Sequence, residues 1–214
     1  MKDIGEPVAA QGVVCFARGT RLAGPDGEQR VECLTVGDRL LTASGQPRRI
    51  VWIGRRRINC ARHPDPNAVW PVRVRAGAFG PDLPRRDLLL SPQHAVFTEG
   101  VLIPVRVLAN GGTIRAEARR AVEYFHVELD RHDILLAEGL PVESYLDTGD
   151  RACFENGGAT LVLHPDFARL AWDAGACAEL KVTGPEVEAV RASLAERARA
   201  GAADQVDAVL SGSS

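Results

Sequence analysis

The sequence predicts a mainly β domain followed by one C-terminal helix, and three observations carry that expectation. Between Val13 and Thr148 short apolar runs recur, rich in Val, Ile and aromatic residues and broken by turn signals roughly every 8–12 residues. After Thr183 the pattern changes to the helical period. The composition, 45% hydrophobic and 25% charged over 214 residues, is that of a folded chain with a real core.

The runs are VVCF at 13–16, RVECL at 30–34, RLLT at 39–42, RIVWIG at 49–54, VWPVRVR at 69–75, LLL at 88–90, AVF at 95–97, VLIPVRVL at 101–108, YFHVEL at 124–129 and DILLAEG at 133–139. The breakers AGPDGEQ, ASGQP, RHPDPN, FGPDLP, TEG and ANGG separate them. Pro71 and Pro104 lie inside runs, which assigns those strands to edges or bulges because proline cannot donate to a ladder. In TGPEVEAVRASLAERARAG, Pro185 suits the first helical position and Glu186 and Glu188 the first turn. Arg197 and Arg199 come late, and Gly201 reads as a stop. Val187, Val190, Leu194 and Ala198 share one face, so a helix over about 185–200 is expected to cover apolar sheet surface. The organisation is therefore a flexible lead-in at 1–12, a β domain at 13–149, and an extension at 150–214 ending in a disordered SGSS tail.

Several function classes are disfavoured. A net charge of −2 supplies no broad basic field for nucleic acid. The arginines of RRIVWIGRRR at 48–57 are read as solvating one strand face while Ile50, Trp52 and Ile53 pack. No apolar run approaches the ~18–20 residues of a membrane span. Asp3 and Glu6 stand where a secretory signal would be apolar, so the default compartment is the cytoplasm, with a non-N-terminal export signal left open. Five cysteines at irregular spacing make a poor disulfide framework. CxxC, HExxH, EF-hand, GxxxxGK[ST] and strand–GxGxxG–helix patterns do not occur, so no cofactor or metal is expected.

Cys15 stands out, following the lead-in at the first strand with Gly19 and Thr20 close behind in CFARGT. Cys33, Cys60, Cys153 and Cys177 read as inert small hydrophobes, Cys33 alternating inward within RVECL. His63 lies in a Pro-rich loop and His164 in a turn before Pro165. His94 differs: DLLLSPQHAVF sets Ser91 and His94 across a turn fixed by Pro92 at a strand end, where hydroxyl and imidazole can aim at one backbone group. His126 and His132, six residues apart in YFHVELDRHDILLAEG, straddle an apparent hairpin, from which both could face one cavity; no third ligand supports a metal there.

CFARGTRL, VECLTVGDRLL, LLLSPQHAVF and YFHVELDRHDILLAEGLPVES, in this order, resemble the Hint module, the autoprocessing domain of Hedgehog proteins and inteins, in its bacterial branch. The likeness covers about residues 13–149. It implies a horseshoe-shaped all-β fold with pseudo-twofold halves and both module ends meeting at the site. It also implies Cys15 as nucleophile, with Ser91 and His94 as the [TS]xxH pair. His126 stands where that family often has Asp or Cys, leaving Asp130, His132 and Asp133 as neighbours able to share the second proton transfer.

The implied chemistry is attack of Cys15 Sγ on the Val14 carbonyl through a five-membered ring, giving a thioester and a free amine. His94, with an unperturbed pKa near 6.5, would protonate the nitrogen; Ser91 would orient the Val14 carbonyl or hold His94. The substrate is the chain's own N-terminal flanking segment, and water or a small nucleophile is the acyl acceptor. Glu143–Ser144 stands where an intein carries His–Asn, so cleavage without splicing is expected. The alternatives are a catalytically silent Hint-like scaffold that binds or caps a larger protein, and a cysteine hydrolase acting on other molecules.

Overall fold

The computed structural model describes residues 14–149, 151–157 and 167–211. The lead-in at 1–12, His164 and residues 212–214 of the tail lie outside that range. In chain order the strands are β1 (Phe16–Ala17), β2 (Arg21–Gly24), β3 (Gly27–Arg30), β4 (Arg39–Leu41), β5 (Pro47–Ile58), β6 (Val72–Val74), β7 (Leu88–Leu90), β8 (Ala95–Thr98), β9 (Val101–Pro104), β10 (Ile114–Ala116), β11 (Val122–Leu129), β12 (Ile134–Ala137) and β13 (Leu140–Glu143). The helices are α1 (Phe167–Gly175) and α2 (Pro185–Ser211). The chain is therefore all-β with a helical C-terminal extension, as its sequence pattern predicts.

Among the described residues the strands form two sheets, in the orders β10-β6-β7-β1-β11-β5-β4 and β3-β2-β12-β13-β8-β9. The chain passes repeatedly between them: β1 leads to β2, β7 to β8 and β11 to β12, each step changing sheet. The longest ladder joins β11 to β5, running from Val122 opposite Ile58 to Leu129 opposite Ile50 with one irregularity at Glu128/Leu129. Its alternation buries Ile50 and Val127 and leaves Arg49 and Arg55 outside. Arg55 and Arg48 meet Glu123 and Asp133, so the arginine run is a solvated, ion-paired face.

The turn after β1 follows from its residues. Gly19 adopts φ +92°, a conformation costly for any residue with a side chain. Its N–H is taken by the Glu32 carboxylate at 2.9 Å, and Thr20 Oγ1 donates to the Ala17 carbonyl at 2.8 Å. CFARGT and VECL thus form one local device, which fixes the exit of β1.

Four expectations need correction. RVECL is not a strand: Val31–Cys33 is a 3-10 turn, which puts Val31 in the core and leaves Cys33 exposed. Pro71 precedes β6, an inner strand, where its missing N–H costs no ladder bond; Pro104 does end β9, an edge strand. A second helix, α1, was not anticipated. Finally, α2 continues through Gly201 to Ser211, since one helical glycine costs only about 1 kcal/mol and good helix formers surround it.

The described parts of the extension pack on the β domain. Val187, Val190 and Leu194 of α2 share the main core with Leu22, Ile50, Ile103 and Leu135, each such burial contributing about 1.5–3 kcal/mol. The segment at 154–156 runs along the outer rim of β5: Glu155 N–H donates to Arg55 O, while the Asn156 amide serves Ile53 O and Arg55 N–H. Glu179 and Lys181 do the same for β9, through Leu102 N–H to Glu179 O and Lys181 N–H to Leu102 O, both at 2.8 Å. No described helix is long and apolar enough to cross a membrane.

Candidate active site around Cys15

Strand register builds this site. The short strand β1 is held between β7 and β11, with Phe16 opposite both Leu90 and Phe125. One step earlier, Cys15 falls opposite Ser91 on one side and His126 on the other. Just beyond His126, β11 is paired by a different segment: Tyr145 N–H donates to Val127 O at 2.8 Å. The beginning and the end of the β domain therefore occupy adjacent positions along the same strand.

On the β7 side, Ser91 N–H donates to Cys15 O at 3.0 Å, an ordinary ladder bond. The return bond is different. The Ser91 carbonyl already accepts His94 N–H across the Ser91–Pro92–Gln93–His94 turn, so the Cys15 N–H donates instead to Ser91 Oγ at 2.8 Å. Ser91 Oγ thus engages the amide nitrogen of the Val14–Cys15 bond.

His94 is fully buried, and its ring meets Phe16 with centroids 4.5 Å apart. Nε2 lies 3.1 Å from Glu143 O. A carbonyl can only accept, so the neutral ring carries its hydrogen on Nε2 and leaves Nδ1 bare; among the described residues Nδ1 has no hydrogen-bond partner. Burial lowers the pKa to about 4, against the opposing pull of the Cys15 and Glu143 backbone. The expectation of a near-neutral histidine is corrected: burial holds His94 uncharged at neutral pH.

On the β11 side, His126 Nε2 is 2.5 Å from Cys15 Sγ. The imidazole is fully buried behind Tyr145 and Phe154, with ring centroids at 4.9 and 4.2 Å, and Trp52 packs against both, edge-to-face with Phe154 and tilted to Tyr145. This wall exists because Gly54, opposite His126, has no side chain: a Cβ there would lie 2.3 Å from the Trp52 ring and 2.8 Å from Phe154. Arg151 closes the outside, its guanidinium 5.0 Å from the Trp52 ring and paired with Glu128. Desolvation holds the His126 pKa well below the usual range, so the ring is unprotonated and able to accept a proton.

His132 does not share a cavity with His126, because β11 and β12 belong to different sheets and the intervening loop is no hairpin. Its Nε2–H donates to Ser144 O at 3.1 Å, and its Nδ1 accepts Cys177 N–H at 3.0 Å. His132 therefore reaches the cysteine only through the segment at 143–144. Asp133 and Asp130 turn outward to Arg48. Glu143, which sequence reasoning did not single out as a side chain, is 2% exposed; burial raises its pKa to about 8, and its Oε1 accepts Ala95 N–H at 2.6 Å.

The arrangement joins a thiol, a neutral base and a hydroxyl around one peptide linkage. It is sealed: Cys15 is 2% and Ser91 4% exposed. Surface hollows of about 250 and 350 Å³ lie elsewhere, lined by residues such as Trp70 and Arg120 in one and Gln93 and Arg106 in the other. Among the described residues no three His, Cys, Asp or Glu side chains gather as metal ligands.

The family model described as Hint domain matches residues 14–149. No curated protein matches the chain. Similar solved structures include the MchDnaB-1 intein, 19% identical over 61% of this chain and 99% of that one, with a TM-score of 0.42. A bacterial intein-like domain from Clostridium thermocellum is 10% identical over 63% and 100% of the two chains, with a TM-score of 0.47. A DnaB intein from Synechocystis sp. PCC 6803 is 8% identical over 62% and 99%, with a TM-score of 0.42.

Proposed function

The chain belongs to the Hint domain family, an autoprocessing type of domain, and on that premise we propose that it cleaves its own Val14–Cys15 peptide bond through a thioester, without splicing. The observation that carries this reading is the double engagement of Cys15: Sγ lies 2.5 Å from His126 Nε2 while the amide N–H is bonded to Ser91 Oγ at 2.8 Å. The thiol proton passes to His126, and Sγ attacks the Val14 carbonyl carbon. As the C–N bond breaks, the nitrogen needs one proton. His126, which took the thiol proton, hands it to that nitrogen while Ser91 Oγ goes on holding the nitrogen through its N–H, so the net change is one proton moved from sulfur to nitrogen. His126 releases its proton readily because the site disfavours imidazolium. Water or a small thiol then attacks the thioester and releases the segment before Cys15. Glu143–Ser144 at the domain's end supplies no asparagine to cyclise, which supports cleavage alone.

The test is a reporter fused upstream, incubated with dithiothreitol and weighed intact. The expected product begins at Cys15, and Cys15→Ala abolishes it. Equal cleavage of both proteins, or of neither at any pH from about 6 to 9, overturns the proposal. A second reading, a retained scaffold without turnover, draws on the burial of Cys15 and Ser91, which bars an acyl acceptor from the closed site. Thiol-independent persistence of the intact fusion supports it.

A further inference from the structure

Glu143 contacts the [TS]xxH turn twice. The pairing of Val142 with Val96 sets Glu143 opposite Ala95. Through its main chain, Glu143 O accepts His94 Nε2–H at 3.1 Å. Through its side chain, Oε1 accepts Ala95 N–H at 2.6 Å, and that N–H belongs to the peptide plane joining His94 to Ala95. The carboxyl is 2% exposed at the end of a strand whose neighbour Val142 is core. An aliphatic residue would fill such a place without the cost of burying an acid, but it would leave the Ala95 N–H without this acceptor and the His94 peptide plane without this tether. The titratable groups around the carboxyl are His94 from the turn, His132 with Nε2 3.9 Å from Oε2, and Cys177.

We propose that Glu143 is a positioning residue of the self-cleavage site: its carboxyl takes the Ala95 N–H, which leaves the Glu143 carbonyl free for His94 Nε2–H and holds the ring beside Phe16 as one tautomer. The proposal rests on the self-cleavage reading and links the domain's last strand to its first. A histidine free to rotate would exchange its two nitrogens, and half of its orientations would present the wrong one. With Nε2 bound to Glu143 O and the peptide plane tethered by the carboxyl, one tautomer and one ring orientation remain.

The test has two arms. In protein carrying Cys15→Ala, so that the precursor stays intact, ¹⁵N-histidine NMR reads the His94 ring: protonated Nε2 and bare Nδ1 are expected in the Glu143 parent and in Glu143→Gln, whose amide oxygen can still accept Ala95 N–H. Glu143→Ala is expected to lose this single-tautomer signature. In fusions that retain Cys15, Glu143→Ala is expected to slow dithiothreitol-driven release by about tenfold to a hundredfold, and Glu143→Gln to restore it to within about threefold. A parental tautomer pattern or release rate in Glu143→Ala overturns the proposal. Should that variant fail to fold, Glu143→Asp, one methylene too short to span the same gap, must show the loss; parental behaviour of Asp overturns it equally. If no fusion cleaves, the self-cleavage reading falls, while the NMR arm still decides whether Glu143 sets the tautomer.

Discussion

Cys15 and His126 are 111 residues apart in the chain, yet Sγ and Nε2 approach to 2.5 Å because β1 pairs with β11 one position away. The contact is a product of register. A slip of one residue would turn the imidazole to the opposite face of the sheet.

Replacing His126 by Ala removes the proton acceptor while leaving the thiol in place. Dithiothreitol-driven release of an upstream reporter is expected to fall about 10²–10⁴-fold, the usual worth of a positioned base. Release within a few-fold of the parent would deny His126 that role. The same measurement on His132→Ala, whose ring bonds Ser144 and Cys177, is expected to give a smaller loss.

Ser91→Ala leaves the buried Cys15 N–H without its side-chain acceptor. The expected stability loss is about 1–3 kcal/mol, the penalty of an unsatisfied buried donor, together with slower release. Ser91→Thr keeps the hydroxyl and is expected to retain both. Chemical denaturation and intact-mass kinetics on the two variants separate the effects.

Stability is expected to peak near pH 6.5. His94 and His132 have folded pKa values of about 4, lowered by burial. Below 6.5 the unfolded chain binds protons that the folded chain refuses, so stability falls by about 1.4 kcal/mol per pH unit for each ring until the folded pKa is reached. Glu143 acts in the opposite sense. Its folded pKa is raised to about 8 by burial, so its contribution is full below 4.5 and is lost as pH rises toward 8. Below 6.5 the histidines outweigh it; from 6.5 to 8 Glu143 acts against stability. Thermal melts from pH 4 to 8.5 should show this dome, and Glu143→Gln should flatten its alkaline side. A parental slope in that variant would contradict the assignment.

Gly54→Ala is expected to destabilise the fold by about 1–3 kcal/mol, because its methyl meets the Trp52 and Phe154 rings. Parting those rings from His126 should also speed alkylation of Cys15 by iodoacetamide. Unchanged alkylation would show that the aromatic wall does not control access.

The sequence made local features legible. Pro92 between Ser91 and His94 identified a turn at a strand end, and the structure has that turn, closed by His94 N–H on Ser91 O. Gly19 and Thr20 marked the exit of β1 for the same local reason. Partnerships set by pairing across the sheets were hidden. Nothing in YFHVEL says that His126 will face Cys15 and not share a pocket with His132, because that depends on which sheet each strand joins. The low pKa of His94 was equally invisible, since burial arises from distant strands. Glu143 was legible only as the absence of an intein's histidine; its carboxyl acquires a purpose once β13 lies beside β8.

The rims of β5 and β9 are satisfied by Glu155, Asn156, Glu179 and Lys181, all downstream of residue 149. Trimming the chain at that family boundary would strip two rows of main-chain donors and acceptors at once, each a template for a neighbouring copy to dock in β fashion. The isolated β portion is then expected to self-associate more than the chain that keeps residues 150–214, a difference that light scattering on the two would measure, so what looks like a portable cassette leans on the length that follows it.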